Sequence, residues 1–271
     1  MHSVKSFSFT NATFDNKLGI LSKKQQDMQF IAAMSTREVA EDCVRLMRNS
    51  FDESVLARIS ECLSVSNKYI YIAQHWDINL LTVANAERFA DYEYFLKEYT
   101  RRCHFGSGIF SGQCAYAGAM LSGASGEQLE ALKSFGEAYG TALHMINDLG
   151  DLVPCAGGEG RIRDYQDFFS DLRNGRLTLP LYLLRRATDD SGSALTWLTK
   201  VDSASDQRFR ELPALLVQTG TSNVIKALVS TKMQDAIDVL DVFRGSASYG
   251  VIRAMSSVVR TNKYFARLRL L

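Results

Sequence analysis

Residues 139–155 read YGTALHMINDLGDLVPC. Its apolar residues recur at three- and four-residue steps, which predicts a helix with one face in a core. Near its end, one turn carries Asn147, Asp148 and Asp151. Carboxylates are costly to bury unless something neutralises them. The turn therefore predicts either a bound cation or a polar helix end before Pro154.

The rest of the chain has the same helical period over long stretches without proline. The 271 residues include only three prolines, and no run of alternating β-branched residues lies between turn signals. Helices are expected over 55–78, 127–152 and 224–243, the second one capped by Ser125 or Gly126. No break is long enough to be an interdomain linker. We therefore predict one all-α domain, residues 1–271, of roughly eight to ten helices.

Composition and charge exclude several classes of protein. Apolar residues make up 46% of the chain and charged residues 23%, which argues against disorder. The net charge of +1 gives no basic field for nucleic acid. Five scattered cysteines without a CxxC, and an N-terminus without a secretion signal, predict a cytoplasmic protein. The small-residue stretch 105–124 predicts a packed interior helix rather than a membrane span.

The polar turn has the chemistry of a magnesium site. Asp148 and Asp151 lie three residues apart on one helix face, and Asn147 lies four residues before Asp151. Two carboxylates and an amide oxygen suit Mg²⁺, which usually completes its shell with water and phosphate oxygens. The alternative is a polar helix C-terminus without a ligand.

Two other stretches carry polar residues that suit a diphosphate. DLRNGRLTLP (171–180) places Arg173 and Arg176 on either side of an Asn-Gly turn, and arginines bind planar oxyanions through several hydrogen bonds. Solvated loop charges are the alternative for both. AQHWD (73–77) places Gln74 and Asp77 near the end of another helix. No nucleotide-binding glycine motif is present, so the diphosphate is not predicted to belong to a nucleotide.

Together these residues resemble the trans-isoprenyl diphosphate synthases, also called polyprenyl synthetases. NDLGD (147–151) resembles the second aspartate-rich motif of that family, DDxxD, with Asn147 in the first position. DLRNGRLTLP is similar to its D-L-x-x-G-K-x-T-L-P, and AQHWD is similar to its GQxxD. The resemblance covers roughly residues 65–185. It implies an all-α isoprenoid synthase bundle around a central cavity, with Asp77 and Asp148 pointing into it.

The chain also departs from the family pattern. The first DDxxD corresponds to NATFD (11–15), in which Asp15 is the carboxylate left, and no Arg-Arg pair follows. HFGSGIF (104–110) stands in the place of a lysine-threonine motif and has neither residue. Arg101, Arg102 and His104 are candidates to replace the lysine, with a surface or capping role as the favoured alternative. The expected fold is therefore shortened at its N-terminus by two or three helices.

The resemblance implies a prenyltransferase that uses an allylic prenyl diphosphate and Mg²⁺, with an unusual acceptor. The alternatives are a catalytically silent subunit of a heteromeric synthase and a terpene cyclase. The implied catalytic residues are Asp148, Asp151 and Arg176. The implied metal ligands are Asn147, Asp148, Asp151 and Asp15, and the implied substrate contacts are Gln74, Asp77, His104, His144, Arg173 and Arg176. For His144, a satisfied core histidine is the alternative.

The expected partner is a second copy of this chain or a longer synthase. Missing opening helices would expose apolar surface, and exposed patches of that kind usually mark interfaces. We expect a dimer built near 105–124, where Gly108, Gly112 and Gly118 would allow close approach of two helices.

Overall fold

The computed structural model describes residues 23–153, 171, 174–187, 207–247, 249–251 and 253–254, with side chains from residue 35 onward except 207–211. The described residues form eight α-helices and no strand, which confirms the prediction of an all-α fold. The helices are α1 (Lys23–Leu46), α2 (Glu53–Asn79), α3 (Tyr92–Cys103), α4 (Ile109–Leu121), α5 (Gly126–Leu152), α6 (Leu179–Ala187), α7 (Gln207–Gln218) and α8 (Thr221–Asp238).

Local sequence explains where the central helix α5 begins. The Ser125 hydroxyl accepts the backbone N–H of Gln128, and the Gln128 side chain accepts the N–H of Ser125. This reciprocal capping box satisfies two N–H groups that the first turn of a helix leaves unpaired. The helix predicted over 127–152 is confirmed with Ser125 as its N-cap.

Helix α5 runs through the middle of the largest core cluster. Its buried residues Met145 and Leu149 share that cluster with residues from α3, α6 and α8. Phe95 of α3 stacks on Tyr182 of α6 with ring centroids 3.8 Å apart, and the Tyr182 hydroxyl donates to the Phe89 carbonyl. Because aromatic pairs bury large apolar areas, these contacts hold α3 and α6 together beside the central helix, whose buried residues belong to the same cluster.

Close packing of α4 on α5 depends on glycines. A Cβ atom at Gly140 would lie 2.4 Å from the Ser111 Oγ atom, and one at Gly112 would lie 2.4 Å from Glu137. A Cβ at Gly108 would lie 2.5 Å from Thr141. The expectation that Gly108 and Gly112 serve a dimer interface was therefore wrong, since both pack against α5 of the same chain. At Gly118, a Cβ would meet no atom within 4 Å among the described residues.

A short π-helical segment, His104–Gly108, joins α3 to α4. Its Phe105 ring contacts Tyr69 and Trp76 of α2, at centroid distances of 4.8 and 5.4 Å. The predicted helix over 105–124 therefore begins with a wider turn before α4. Such single-turn π segments are frequent at functional sites.

Candidate functional site

The C-terminal ends of α2, α3 and α5 meet at one buried arginine. The Arg102 Nε atom donates to Asp77 Oδ1 at 2.6 Å, and its Nη1 atom donates to Asp148 Oδ2 at 2.8 Å. Arg102 is 3% exposed, Asp77 7% and Asp148 1%. Because the C-terminal end of a helix carries partial negative charge, a cation at this junction is favourable. The three ends are thus joined by one charge network.

Asp148 is the most deeply buried member of the network. Its Oδ2 atom also accepts the Tyr99 hydroxyl at 2.9 Å, and its Oδ1 atom lies 3.8 Å from His144 Nε2. Burial raises the pKa of Asp148, while Arg102 and the Tyr99 hydrogen bond act to lower it. Burial acts to lower the pKa of Arg102, but Asp148 and Asp77 raise it well above its usual value. The arginine therefore stays charged beside the two carboxylates.

A second arginine joins the network from the turn before α6. Arg176 Nη1 donates to Asp171 Oδ1 at 3.0 Å, and its Nε atom lies 4.0 Å from Asp77 Oδ2. Gly175 has φ of +69°, which only glycine adopts at little cost, and an isolated antiparallel bridge pairs Thr82 with Arg176. Burial and Asp148 raise the pKa of Asp171. The Asn-Gly turn thus brings Arg176 over the buried acids.

Asp151 reaches the same network through the backbone. Its Oδ2 atom accepts the N–H of Asp171 at 3.1 Å, and its side chain is half-buried. Asn147, in the preceding turn, is exposed. The two carboxylates of NDLGD therefore lie in different environments, with Asp148 enclosed and Asp151 partly open.

His144 and Ser107 form a second hydrogen-bonded pair beside Asp148. The Ser107 Oγ atom lies 2.6 Å from His144 Nδ1, and a Cβ at Gly106 would lie 3.1 Å from the His144 ring. Burial and the nearby Arg102 lower the pKa of His144 to about 3. The imidazole is therefore neutral at neutral pH and lies between a hydroxyl and a carboxylate.

The structure brings together only some of the residues that the sequence indicated. Asp77, Asp148, His144, Arg176 and Asp151 belong to the network. Gln74 and Asn147 are exposed. His104 faces a separate pocket of about 610 Å³ between α3, α5 and α8, with Lys97, Arg101, Glu137 and Lys232. Asp15 and Arg173 lie outside the described residues, so their predicted roles stay predictions.

The sequence analysis named Arg102, the central residue of the site, only as a candidate to replace a lysine and favoured another role for it. The surface or capping role favoured for Arg102 was wrong, because the guanidinium is buried between two carboxylates. One signal was present: Phe95, Tyr99, Arg102 and Cys103 follow the helical i, i+4, i+7, i+8 pattern of a core-facing stripe. An arginine on an apolar stripe requires a carboxylate partner.

The contacts of the two carboxylate oxygens of Asp148 determine whether a magnesium ion could bind there. Both face other groups of the network, and at 1% exposure Asp148 leaves no room for the waters that Mg²⁺ retains. Among the described residues, one cluster could hold a metal: Cys103, His144 and Asp148. Burial raises the pKa of the Cys103 thiol to about 12, and a hard cation prefers oxygen ligands. Asp148 in this arrangement does not fit Mg²⁺.

A groove of about 1360 Å³ lies between α1, α2 and α4. Its lining is largely apolar and includes Leu56, Leu63, Ile70 and Phe110, while Arg37, Arg45 and Arg48 line it from the α1 side. Helix α2 lines this groove, and Asp77 lies near the C-terminal end of the same helix. No helix among the described residues is long and apolar enough to cross a membrane.

Comparison with known proteins identifies one group of relatives. No family model matches the chain. Nonaprenyl diphosphate synthase from Mycobacterium tuberculosis is 26% identical over 184 residues, which are 66% of this chain and 45% of that protein. The chain thus spans about half the length of this curated relative.

Solved structures share the fold. Geranylgeranyl pyrophosphate synthase from Lactobacillus brevis matches with a TM-score of 0.63 at 17% identity, over 92% of this chain and 72% of that one. Polyprenyl synthase from Caulobacter crescentus, solved with calcium and isoprenyl diphosphate, matches with a TM-score of 0.59 at 16% identity, over 81% and 62%. These likenesses support the all-α isoprenoid synthase architecture.

Proposed function

We propose that this chain, which is similar to the trans-isoprenyl diphosphate synthases, binds an allylic prenyl diphosphate and transfers the prenyl group to an acceptor. One observation carries the proposal: Asp77, Asp148, Asp171 and Arg176, which come from three separate sequence motifs, converge in one buried network. Burying charges costs several kcal/mol per ion in real proteins, so buried ionisable clusters mark candidate functional sites.

Arg176 is the residue best placed to contact the diphosphate. Its side chain is 26% exposed, in contrast to the enclosed Arg102. A guanidinium beside a departing diphosphate stabilises the negative charge that develops there, and this stabilisation belongs to the transition state more than to the ground state. Asp171 holds the guanidinium through its 3.0 Å hydrogen bond.

The apolar groove along α2 is a suitable place for the prenyl chain. Prenyl chains are hydrocarbons, and burial of apolar surface favours their binding by roughly 25 cal/mol per Å². Since Asp77 lies at the C-terminal end of the same helix, a chain in the groove would have the polar network near one end. Apolar walls would also exclude water from an allylic cation.

The test is release of diphosphate from geranyl or farnesyl diphosphate by the purified protein, with Mg²⁺ present because ligation by Asp151 stays a prediction. Arg176→Ala should lower the rate about a hundredfold, the usual effect of losing one donor to a developing anion. Arg244→Ala is the matched control, since that arginine pairs with Asp241 at an exposed site. Absence of release above background from the parent protein would overturn the proposal.

A second function, a catalytically silent subunit of a heteromeric synthase, is favoured by one observation. Arg102 already neutralises Asp148, the carboxylate that an aspartate-rich motif would offer to a metal. A silent subunit would act by altering the chain length of products made by a full-length synthase. Mixing the chain with such an enzyme and measuring product length tests this function. A change in length without diphosphate release by the chain alone would support it.

A further inference from the structure

Arg102 joins two helices in the way that a bridging cation does. Its Nε and Nη1 atoms bind carboxylates from α2 and α5, at 2.6 and 2.8 Å. Charge-assisted hydrogen bonds of this length are the strong ones. We propose that Arg102 permanently takes the place of a divalent cation at Asp77 and Asp148, so that Asp148 is an ion-pair partner and not a metal ligand.

The remaining bonding capacity of Asp148 supports this assignment. Tyr99 donates a second hydrogen bond to Oδ2 at 2.9 Å, and Tyr99 is 1% exposed. The other oxygen, Oδ1, lies 3.8 Å from the Nε2 atom of the half-buried His144. A metal ion would have to displace these groups and then share the carboxylate with a guanidinium of the same charge sign. Both changes oppose metal binding.

Charge balance predicts what happens when the arginine is removed. Asp77, Asp148 and Asp171 would then have Arg176 as the remaining arginine partner among the described contacts. Three carboxylate side chains with one guanidinium form the kind of oxygen-rich, electron-rich site that hard divalent cations bind. Loss of Arg102 should therefore create metal affinity. This inference goes beyond the proposed function and does not depend on it.

The experiment is a titration with Mn²⁺ in the calorimeter, followed by thermal unfolding with and without Mg²⁺. The Arg102→Gln variant should bind Mn²⁺ at least tenfold more tightly than the parent protein and gain thermal stability from Mg²⁺. Arg101→Gln is the matched control, because that neighbouring arginine lies over the Trp76 ring and outside the network. Both the tighter Mn²⁺ binding and the stabilisation by Mg²⁺ should disappear in the double variant Arg102→Gln, Asp148→Asn.

Two results would overturn the inference. The first is metal binding by the parent protein that Asp148→Asn weakens tenfold or more, since Asp148 would then be a ligand despite Arg102. The second is a folded Arg102→Gln variant, verified by circular dichroism, that gains no affinity. If Arg102→Gln does not fold, the inference is tested by comparing Mn²⁺ binding of the parent protein with that of Asp148→Asn. All these readings are made without a prenyl substrate, so a failure of diphosphate release leaves them unaffected.

Discussion

Asp148 and Arg102 depend on each other because neither charge reaches water. When one member of a buried ion pair is removed, the other remains as an uncompensated charge, at a typical cost of 3–5 kcal/mol. We therefore expect Asp148→Ala to lower the free energy of unfolding by about that amount, measured by urea denaturation. Asp235→Ala, which removes an exposed partner of Lys232, is the control and should change stability by under about 1 kcal/mol. Equal effects of the two substitutions would contradict the network.

His144 should make the free energy of unfolding depend on pH below about pH 6.5. Its folded pKa is lowered from 6.5 to about 3, so the unfolded chain binds the extra proton between these values. Stability should then rise with pH through this window, by up to about 1.4 kcal/mol per pH unit, and level off above pH 6.5. His144→Gln should flatten the curve, measured by urea denaturation at several pH values.

At the scale of residues, the sequence indicated Asp77 and Asp148 but neither Asp171 nor the buried arginine that neutralises the first two. Asp77, Asp148 and Arg176 were recognisable because each belongs to a spaced motif. Arg102 was not, because its role depends on which face of α3 meets α2 and α5. Helical spacing places Arg102 on the same face as Phe95 and Tyr99. The sequence around it does not predict that two carboxylates from distant helices lie next to that face. Tertiary packing decides this contact.

At the scale of elements, the helices followed from local chemistry. The prediction over 127–152 was accurate because a capping box and an apolar period agree. The π segment His104–Gly108 was missed, since the sequence around it reads as continuous helix and the wider turn depends on Phe105 packing against α2.

The glycines between α4 and α5 provide a test of element packing. In Gly140→Ala, the new methyl group would lie 2.4 Å from the Ser111 Oγ atom and 2.5 Å from the Ser107 carbonyl oxygen. Overpacking of this kind costs about 1–3 kcal/mol, and thermal unfolding should show a lower melting temperature. Gly118→Ala is the matched control in the same helix pair. It meets open space and should be neutral or stabilise by about 0.4–1 kcal/mol.

At the scale of the whole molecule, the apolar surface of α1 predicts self-association. Val39 and Leu46 lie seven residues apart on one face of α1 and are 60% and 80% exposed. We expect the chain to be a dimer at micromolar concentration in light scattering, with Leu46→Lys shifting it towards monomer, because a buried ammonium group is costly. Val251→Lys, at another exposed apolar position, is the control and should leave the dimer intact. A parent protein that is monomeric would contradict this prediction.

The number of available cations predicts which reaction the whole molecule favours. Chain elongation with isopentenyl diphosphate brings two diphosphates close together, and each needs its own set of cations because their negative charges repel. Arg102 is already committed to two carboxylates, and Arg176 is shared with Asp171 and Asp77. The sequence also has no lysine in 104–110, and no Arg-Arg pair stands directly after the NATFD motif at 11–15.

We therefore expect elongation to be at least a hundredfold slower than release of diphosphate from the allylic substrate alone, since one missing donor to a developing anion already costs about that factor. The measurement is incorporation of labelled isopentenyl diphosphate beside diphosphate release in the same reaction. A full-length synthase, assayed in parallel, should show the two rates equal. Equal rates from this chain would mean that residues outside the described network hold the second diphosphate, and would identify the protein as an ordinary elongating synthase.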